Sequence, residues 1–342
     1  MNKTFIIAEG GVNHNGSIET AFKLVDSAFH AGADAIKFQT YKSELIASKF
    51  AERATYQKNN MPGGTESQLE MIKRYELKIE DFVKIKNYCD NKGILFLTTT
   101  ADEQSTQQIE HLIPAFKIGS ADLTNIPFLK YLASKNKPVI LSTGMANLGE
   151  IEEAVNLFDR KRNNEKLLFP PITLLHCTTN YPCPFEEVNL NAMLTLKKTF
   201  NLPVGYSDHT QGIEVPIAAA ALGASVIEKH FTLDKNMEGP DHKASLEPTE
   251  LKNMVVAIRN IENSMGTGLK HPNKSETEII NVARKSVVAL KDIAAGTILS
   301  TKMLSVKRPG NGIKPADIEK IVGLKINKSK KEDETIFWSD FK

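Results

Sequence analysis

Two histidines close consecutive short apolar runs. Val204–Tyr206 leads into Ser207-Asp208-His209, and Val226–Ile227 leads into Glu228-Lys229-His230. Neutral imidazole is the commonest metal-ligating side chain. Two of them on adjacent strands can hold a divalent ion, with water and a substrate carboxylate in the other positions. The spacing is not a local motif such as H-E-x-x-H, so only a fold that sets the runs side by side makes a site of them; otherwise each is a hydrogen-bonded core histidine. Lys37 interrupts another buried run, Ala35-Ile36-Lys37-Phe38-Gln39. A buried ammonium needs a partner or a task. It can bind an anion, act as a Schiff-base nucleophile, or pair with an acid inside the fold. Thr99, Ser120, Ser142 and Ser207 follow further runs, and Lys117 lies within one. Small hydroxyls beside a glycine or a helix start are phosphate ligands through side chain and backbone N–H. Singly each is also an ordinary cap or turn residue, but four of them with Lys117 point to a phosphorylated anion. There is no Walker A sequence and no strand–G-x-G-x-x-G–helix unit, which argues against a nucleotide.

The elements that must position these residues are legible. Eight apolar runs end at polar residues: Phe5–Ala8 at Glu9, Ala35–Phe38 at Gln39, Ile94–Leu97 at Thr98-Thr99, and Phe116–Ile118 at Ser120. Val139–Leu141 ends at Ser142 and Ile172–Leu175 at His176, followed by the two histidine runs. Helical patterns separate almost every pair. Ile18, Ala21, Phe22, Val25 and Phe29 form one stripe, with Ser17 as N-cap and Gly32 at its end. Ile79, Phe82, Val83 and Ile85 begin another that ends near Gly93. Pro248 opens the last, with Leu251, Met254, Val255, Ile258 and Ile261 on one face and closure near Gly266. Alternating strands and helices of this number predict an α/β fold, a (β/α)₈ TIM barrel over residues 1–267, whose chemistry lies at the C-terminal ends of the strands. On each strand alternate side chains share a face, so Lys37 goes with Gln39 and Glu228 with His230. The stretch 40–78 is long for a βα connection. It contains a turn at Met61-Pro62-Gly63-Gly64 and a helical piece at Ser67–Tyr75, and either covers the site or is a surface excursion.

Residues 268–285 are turn-rich and polar and read as a linker. A small, mostly β domain follows over 286–342. Its short strands are expected at Ser286–Leu290, Thr297–Leu299, Ser305–Lys307 and Thr335–Trp338, with turns at Ala294-Ala295-Gly296 and Pro309-Gly310-Asn311-Gly312.

Of the chain's net charge of +2, the last 57 residues carry +4, from eleven basic against seven acidic side chains. This bias reads as a solvated surface or as attraction for an anion. Basic stretches without interleaved aromatics argue against nucleic acid as a partner. No apolar stretch approaches the ~20 residues of a membrane span. Met1-Asn2-Lys3-Thr4 runs straight into the first strand without an h-region, and the three cysteines form no C-x-x-C pair; both readings predict a cytoplasmic protein with reduced thiols.

Read together, these motifs resemble the sialic acid synthase family, the phosphoenolpyruvate-condensing nonulosonate synthases. The resemblance rests on Ile6-Ile7-Ala8-Glu9 with Asn13-His14-Asn15-Gly16, Lys37-Phe38-Gln39-Thr40, and Phe116-Lys117-Ile118-Gly119-Ser120. It continues through Leu141-Ser142-Thr143-Gly144-Met145, His176-Cys177-Thr178 with Tyr181-Pro182, Ser207-Asp208-His209, and Glu228-Lys229-His230-Phe231-Thr232. Gly239-Pro240-Asp241-His242 and Lys307-Arg308-Pro309-Gly310-Asn311-Gly312 complete it. It implies a barrel followed by an antifreeze-like (SAF) domain in a domain-swapped homodimer. The implied reaction condenses phosphoenolpyruvate with an N-acetylmannosamine-type sugar to a nine-carbon 2-keto acid, N-acetylneuraminate, and phosphate. A 2,4-diacetamido-2,4,6-trideoxy acceptor, giving N,N'-diacetyllegionaminate, is the alternative, and a non-catalytic carbohydrate- or ice-binding protein a distant one.

By the same resemblance His209 and His230 are metal ligands, for Mn²⁺ foremost and Mg²⁺ or Co²⁺ otherwise. Lys37, Thr99, Lys117, Ser120 and Ser207 are phosphoenolpyruvate contacts with Ser142 close by. Glu9, Gln39, Asp122, Tyr181 and Asp241 are sugar contacts. Arg308 crosses from the partner to the sugar's acyl group. Glu9, Lys37 and Asp122 are the catalytic candidates. Asp122 stands where many members carry Glu, Thr100-Ala101 replaces a common Pro-Phe, and Thr179 stands where some members place a phosphate-binding Asn.

Overall fold

The computed structural model describes residues 3–61, 66–158 and 167–341. The turn expected at Met61–Gly64 lies outside them apart from Met61. Eight parallel strands close a barrel in sequence order. They are β1 (Phe5–Gly11), β2 (Ala35–Thr40), β3 (Leu95–Thr100), β4 (Phe116–Ile118), β5 (Val139–Ser142), β6 (Ile172–His176), β7 (Val204–Asp208) and β8 (Val226–His230). The first strand pairs with both β2 and β8, with Glu9 opposite Lys37 on one side and opposite His230 on the other.

Strand alternation divides the side chains into two sets. Ile6, Ala8, Ile36, Phe38, Phe96 and Phe116 belong to the core shared with the helices. Ile7, Ala35, Leu97, Ala115, Ile140, Leu175 and Val226 form a separate apolar cluster with Phe169. Two residues further along the same faces come Glu9, Lys37, Thr99, Lys117, Ser142 and Glu228. The interior is therefore oily at the N-terminal ends of the strands and charged at the C-terminal ends.

The outer helices of the first half are α1 (Ile18–Ala31), α2 (Ser43–Ile46), α3 (Thr55–Asn60), α4 (Gln68–Lys73), α5 (Ile79–Lys92) and α6 (Glu103–Ile109). Those of the second half are α7 (Ile126–Ser134), α8 (Leu148–Val155), α9 (Asn191–Phe200), α10 (Glu214–Ala221) and α11 (Pro248–Ser264). In α1 the Ser17 hydroxyl accepts from Thr20 N–H, and Gly32 ends the helix at φ +83°, a left-handed conformation that costs glycine little. Its buried face is Ala21, Leu24, Val25, Ala28 and Ala31. Each fully buried Leu or Val there stabilises by ~1.5–3 kcal/mol. Phe29, expected on that stripe, is instead largely exposed, because it lies one helical position off the buried face. The stretch 40–78 holds α2, α3 and α4; Ser67 caps α4 in a reciprocal box with Glu70. Arg259 of α11 binds Asp34 at 2.6 Å and donates to the Thr4 carbonyl at 2.7 Å, while Glu262 accepts from Thr4 N–H.

The chain divides into two compact units, Met1–Gly266 and Thr267–Lys342. In the second, the stretch read as a linker carries a helix, α12 (Glu276–Ala283). β9 (Ser286–Ala289) pairs antiparallel with β10 (Leu304–Lys307). Thr297–Leu299 and Thr335–Trp338 contribute isolated bridges, Ile298 to Lys325 and Thr335 to Val288, rather than full strands. A short helix, α13 (Ile318–Ile321), completes the unit. Val287, Ala289, Ile293, Leu299, Ile313, Ile326 and Ile336 make its own small core.

Candidate active site

The buried mouth of the barrel is a network of alternating charges. Glu9 and Lys37 face each other at 2.8 Å. Lys37 also donates to Thr99 Oγ1 at 2.9 Å and lies 3.7 Å from Glu228. Glu228 stands 3.5 Å from Lys117 and accepts from the Ser207 hydroxyl at 2.9 Å. Lys117 donates to Ser142 Oγ at 2.7 Å. The ends of β1, β2, β3, β4, β5, β7 and β8 thus meet through hydrogen bonds and ion pairs. Lys37, Thr99, Lys117, Ser142 and Ser207 are brought together as the sequence required of a phosphorylated-anion site. Glu228 was not among the site residues read from sequence, yet it joins both lysines. The signal was present, because a buried lysine demands an acid and Glu228 shares a strand face with His230.

Electrostatics split the two carboxylates. Burial raises the Glu9 carboxyl to about 7, against the pull of Lys37 and with a push from Glu228. Burial also opposes ionisation of Glu228, but Lys117 and Lys37 outweigh it and hold the carboxyl well below its ordinary range. Glu9 therefore takes up or releases a proton near neutrality while Glu228 stays ionised, the pattern by which paired carboxylates divide their roles. Lys37 is desolvated, but Glu228 and Glu9 more than compensate and raise its pKa. Such a lysine is a fixed cation, poor as the free amine that a Schiff base needs. In Lys117 burial wins and the shift is downward.

Ser120 lies in the turn after β4 rather than on the strand. Its Oγ accepts from Gly144 N–H at 3.0 Å and meets Cys177 Sγ at 3.2 Å. A Cβ at Gly144 would come within 2.4 Å of Thr179 Oγ1 and 2.8 Å of Ser120 Oγ. Glycine is required there, and its bare backbone leaves room for a small anion against these hydroxyls.

The two imidazoles lie beside this network, their ring centres 5.5 Å apart. His209 Nδ1 is 2.6 Å from the Thr178 carbonyl. Because a carbonyl only accepts, Nδ1 carries the proton and Nε2 keeps its lone pair. His230 Nδ1 is buried without a partner. Burial lowers the pKa of both rings, and for His230 the positive potential of His209 and Lys37 adds to it, so both stay neutral. A neutral pair with free nitrogens is the donor state that a divalent ion takes. Among the described residues no group of three or more His, Cys, Asp or Glu side chains is arranged for a metal, so the protein's share would be two ligands and substrate or water the rest. His176, by contrast, points to the Val188 carbonyl at 2.8 Å and plays a structural part.

Tyr181 packs against His209 with centres 4.1 Å apart and the rings tilted by 36°, and it meets His230 edge-on. Beyond it a cavity of about 150 Å³ is lined by Gln39, Tyr41, Tyr56, Met71, Tyr75 and Asp241 among others. The stretch 40–78 supplies most of its wall. Asp241 is buried there, and desolvation raises its carboxyl to about 6. The Asn13-His14-Asn15-Gly16 loop fixes the segment that carries it. Asn13 Nδ2 donates to Ser245 Oγ at 2.9 Å, Ser245 Oγ donates to the Asp241 carbonyl at 2.7 Å, and Asn15 Oδ1 meets His242 Nε2 at 3.1 Å. From the other side Asn60 Nδ2 donates to the Pro240 carbonyl at 2.7 Å. Gln39 Nε2 reaches Glu9 Oε1 at 3.4 Å. Asp122 and Arg308 have local partners of their own. The Asp122 carboxylate accepts from Asn125 at 3.1 Å, and burial raises its pKa. Arg308 belongs to the second unit and donates from Nε to the Ala283 carbonyl at 3.0 Å.

Comparison with known proteins decides the family. The NeuB family model matches residues 24–270, and the SAF domain model matches residues 284–342. The chain belongs to the NeuB family. Among NeuB-family proteins, the N,N'-diacetyllegionaminic acid synthase of Campylobacter jejuni is 51% identical over 340 residues, 98% of this chain and 99% of that protein. The enzyme of the same name from Legionella pneumophila is 45% identical, over 98% of this chain and 93% of its own length. Of solved structures, N-acetylneuraminic acid synthetase from Leptospira borgpetersenii, in complex with citrate, is 37% identical with a TM-score of 0.70, covering 82% of this chain and 90% of that one. No helix of the described residues is long and apolar enough to cross a membrane.

Proposed function

We propose that this NeuB-family enzyme condenses phosphoenolpyruvate with 2,4-diacetamido-2,4,6-trideoxymannose, releasing N,N'-diacetyllegionaminic acid and phosphate. A phosphoenolpyruvate-condensing nonulosonate synthase is what the relatives have in common, and the charged mouth suits its anionic substrate. The acceptor rests on one observation, the wall of the cavity beyond Tyr181. It is mixed: Val12, Ile46, Met71 and the rings of Tyr41, Tyr56 and Tyr75 give apolar surface beside the polar groups of Gln39, Gln57 and Asp241. Apolar surface of this kind suits a C6 methyl and acetyl methyls, and the polar groups between suit the acetamido N–H and C=O. The higher identity to legionaminic acid synthases supports the same reading.

The residues then have separate tasks. Lys37 and Lys117 neutralise the carboxylate and phosphate of phosphoenolpyruvate, with Thr99, Ser120, Ser142, Ser207 and the Gly144 N–H as hydrogen-bonding partners. Holding the enol against the acceptor converts a two-body encounter into a local one. C3 of the enol bonds to the aldehyde carbon, and the aldehyde oxygen takes a proton, which we assign to Glu9. Water adds at C2, and the C2–O bond to phosphate breaks, leaving the 2-keto acid. Tyr181, Gln39, Asp122 and Asp241 hold the sugar. His209 and His230 fit a divalent ion, Mn²⁺ foremost, which when bound supplies Lewis-acid polarisation of oxygen and orientation. Arg308 is assigned to the acyl group of a sugar in the site of a second copy of the chain, which makes a homodimer part of the proposal.

The test is phosphate release from phosphoenolpyruvate with Mn²⁺ or with EDTA, across a panel of acceptors. Manganese-dependent release that prefers the diacetamido sugar is expected. Preference for N-acetylmannosamine would make the chain an N-acetylneuraminate synthase. Equal rates with EDTA would remove the metal.

A further inference from the structure

Behind the two histidines, on the opposite face of their strands, lies an ion pair that the chemistry above does not use. Asp208 and Lys229 are both fully buried, and Lys229 Nζ meets Asp208 Oδ2 at 2.5 Å. They are register partners across β7 and β8, one step beyond the inward pair Ser207 and Glu228. One further step brings His209 and His230. The same ammonium also donates to the Thr210 carbonyl at 2.5 Å. Thr210 in turn binds back to Asp208, with its N–H on Oδ1 at 3.1 Å and its hydroxyl on both oxygens at 3.0 Å. His209 is therefore bracketed. The residue before it and the residue after it are both tied to Lys229, and Lys229 is the residue before His230.

We infer that Asp208, Lys229 and Thr210 form a clasp that sets the separation and orientation of the His209–His230 pair, acting as positioning residues for the metal. The inference rests on the reading of those histidines as metal ligands. Its physical ground is the cost of the arrangement. Two ions are taken out of water with no solvent contact, and a buried ion pair of this kind is often no more stabilising than apolar residues of the same size. What it adds is direction. An ammonium with two fixed acceptors tolerates only one register of β7 against β8, and it extends that register past the last ladder pair to the loop residue after His209. The Thr178 carbonyl then fixes the rotation of the His209 ring. Outer groups of this sort typically change metal affinity by ~10–100-fold when lost.

The experiment uses the whole chain, stripped of metal and titrated with Mn²⁺ by electron paramagnetic resonance, with Co²⁺ absorption as a second readout. Asp208→Leu/Lys229→Met removes both charges together and leaves no buried ion unpaired. It is expected to melt close to the parent and to bind Mn²⁺ at least ~10-fold more weakly. Its Co²⁺ spectrum is expected to change, and excess Mn²⁺ is expected to restore kcat without altering the KM for phosphoenolpyruvate. A folded double variant with parental Mn²⁺ affinity and an unchanged Co²⁺ spectrum overturns the clasp. If the double variant does not fold, Thr210→Val decides, since it keeps the ion pair and removes only the hydroxyl: several-fold weaker Mn²⁺ binding supports the clasp, and unchanged binding refutes it. Failure of the parent to bind Mn²⁺ would overturn the metal assignment and the clasp with it, whereas parental binding that is indifferent to these substitutions overturns the clasp alone.

Discussion

Removing either side of the Lys117–Glu228 contact should show that the mouth of the barrel is balanced as a unit. The pair is 3.5 Å apart, and Lys37 lies 3.7 Å from the same carboxylate. At an effective dielectric of about 20, each contact amounts to about 4–5 kcal/mol of Coulomb energy before desolvation is subtracted. Lys117→Met leaves Glu228 with one cation. Glu228→Gln leaves Lys117 hydrogen-bonded to the Ser142 hydroxyl and the Ile118 carbonyl without its nearest carboxylate. Breaking a buried pair from one side costs about 3–5 kcal/mol. Each single variant is therefore expected to lose roughly 3 kcal/mol, and the double variant to lose at least ~2 kcal/mol less than the sum. Urea unfolding followed by far-UV circular dichroism measures this, since the single tryptophan, Trp338, belongs to the second unit. Additivity to within ~0.5 kcal/mol would mean that the groups do not sense each other, and the division of roles between Glu9 and Glu228 would lose its basis.

Three further outcomes are expected. With the Glu9 carboxyl at about 7, the group is protonated below that pH and ionised above it, so as a proton donor it makes kcat fall as pH rises through about 7; Glu9→Gln should lower kcat and flatten that limb, and an unchanged profile would exclude the role. Tyr181→Phe should raise the acceptor KM by ~5–10-fold, the worth of one hydrogen bond, while the phosphoenolpyruvate KM stays put; steady-state kinetics with each substrate varied would reveal the opposite. Gly144→Ala forces a methyl to within 2.4 Å of Thr179 Oγ1, so kcat/KM for phosphoenolpyruvate should drop at least ~10-fold, with partial recovery in Gly144→Ala/Thr179→Ala; parental kinetics in the single variant would show that no anion sits there.

Period and punctuation made the barrel readable. Apolar runs broken by glycine-capped helices specify strand, turn and helix almost independently of tertiary context, and Ser17, Gly32, Gly93 and Pro248 do what their chemistry dictates. The inward set was readable as well, because alternation carries Lys37, Lys117 and Ser207 to one face once the strands are placed. What escaped was pairwise. No local pattern says that Glu228 spans two lysines, since its partners lie on β2 and β4, far away in sequence. Phe29 misled because a stripe fixes a helix face only to within one position. In the second unit, Thr297–Leu299 and Thr335–Trp338 have strand composition but form single bridges, since ladder length depends on partners that propensity does not see. The stretch 40–78 was legible as an insertion, but that Tyr41, Tyr56, Met71 and Tyr75 share a wall with Asp241 appears only in the folded chain.

The stitching of Thr4 to Arg259 and Glu262 carries a consequence for synthesis on the ribosome. The first strand waits for the last: Phe5 to Glu9 find their second neighbour only in Val226 to His230, and α11 follows later still. Loops of that length close slowly, because their entropy is spent before the contacts that repay it exist. The emerging chain holds β1, with Glu9, at a ragged, unpaired edge for most of its translation, a state in which exposed strands invite pairing with the wrong neighbour. Catalytic competence thus arrives late and at one stroke, when residues near 262 lock the ring, and a nascent chain stalled short of that point has most of the site's residues but no site.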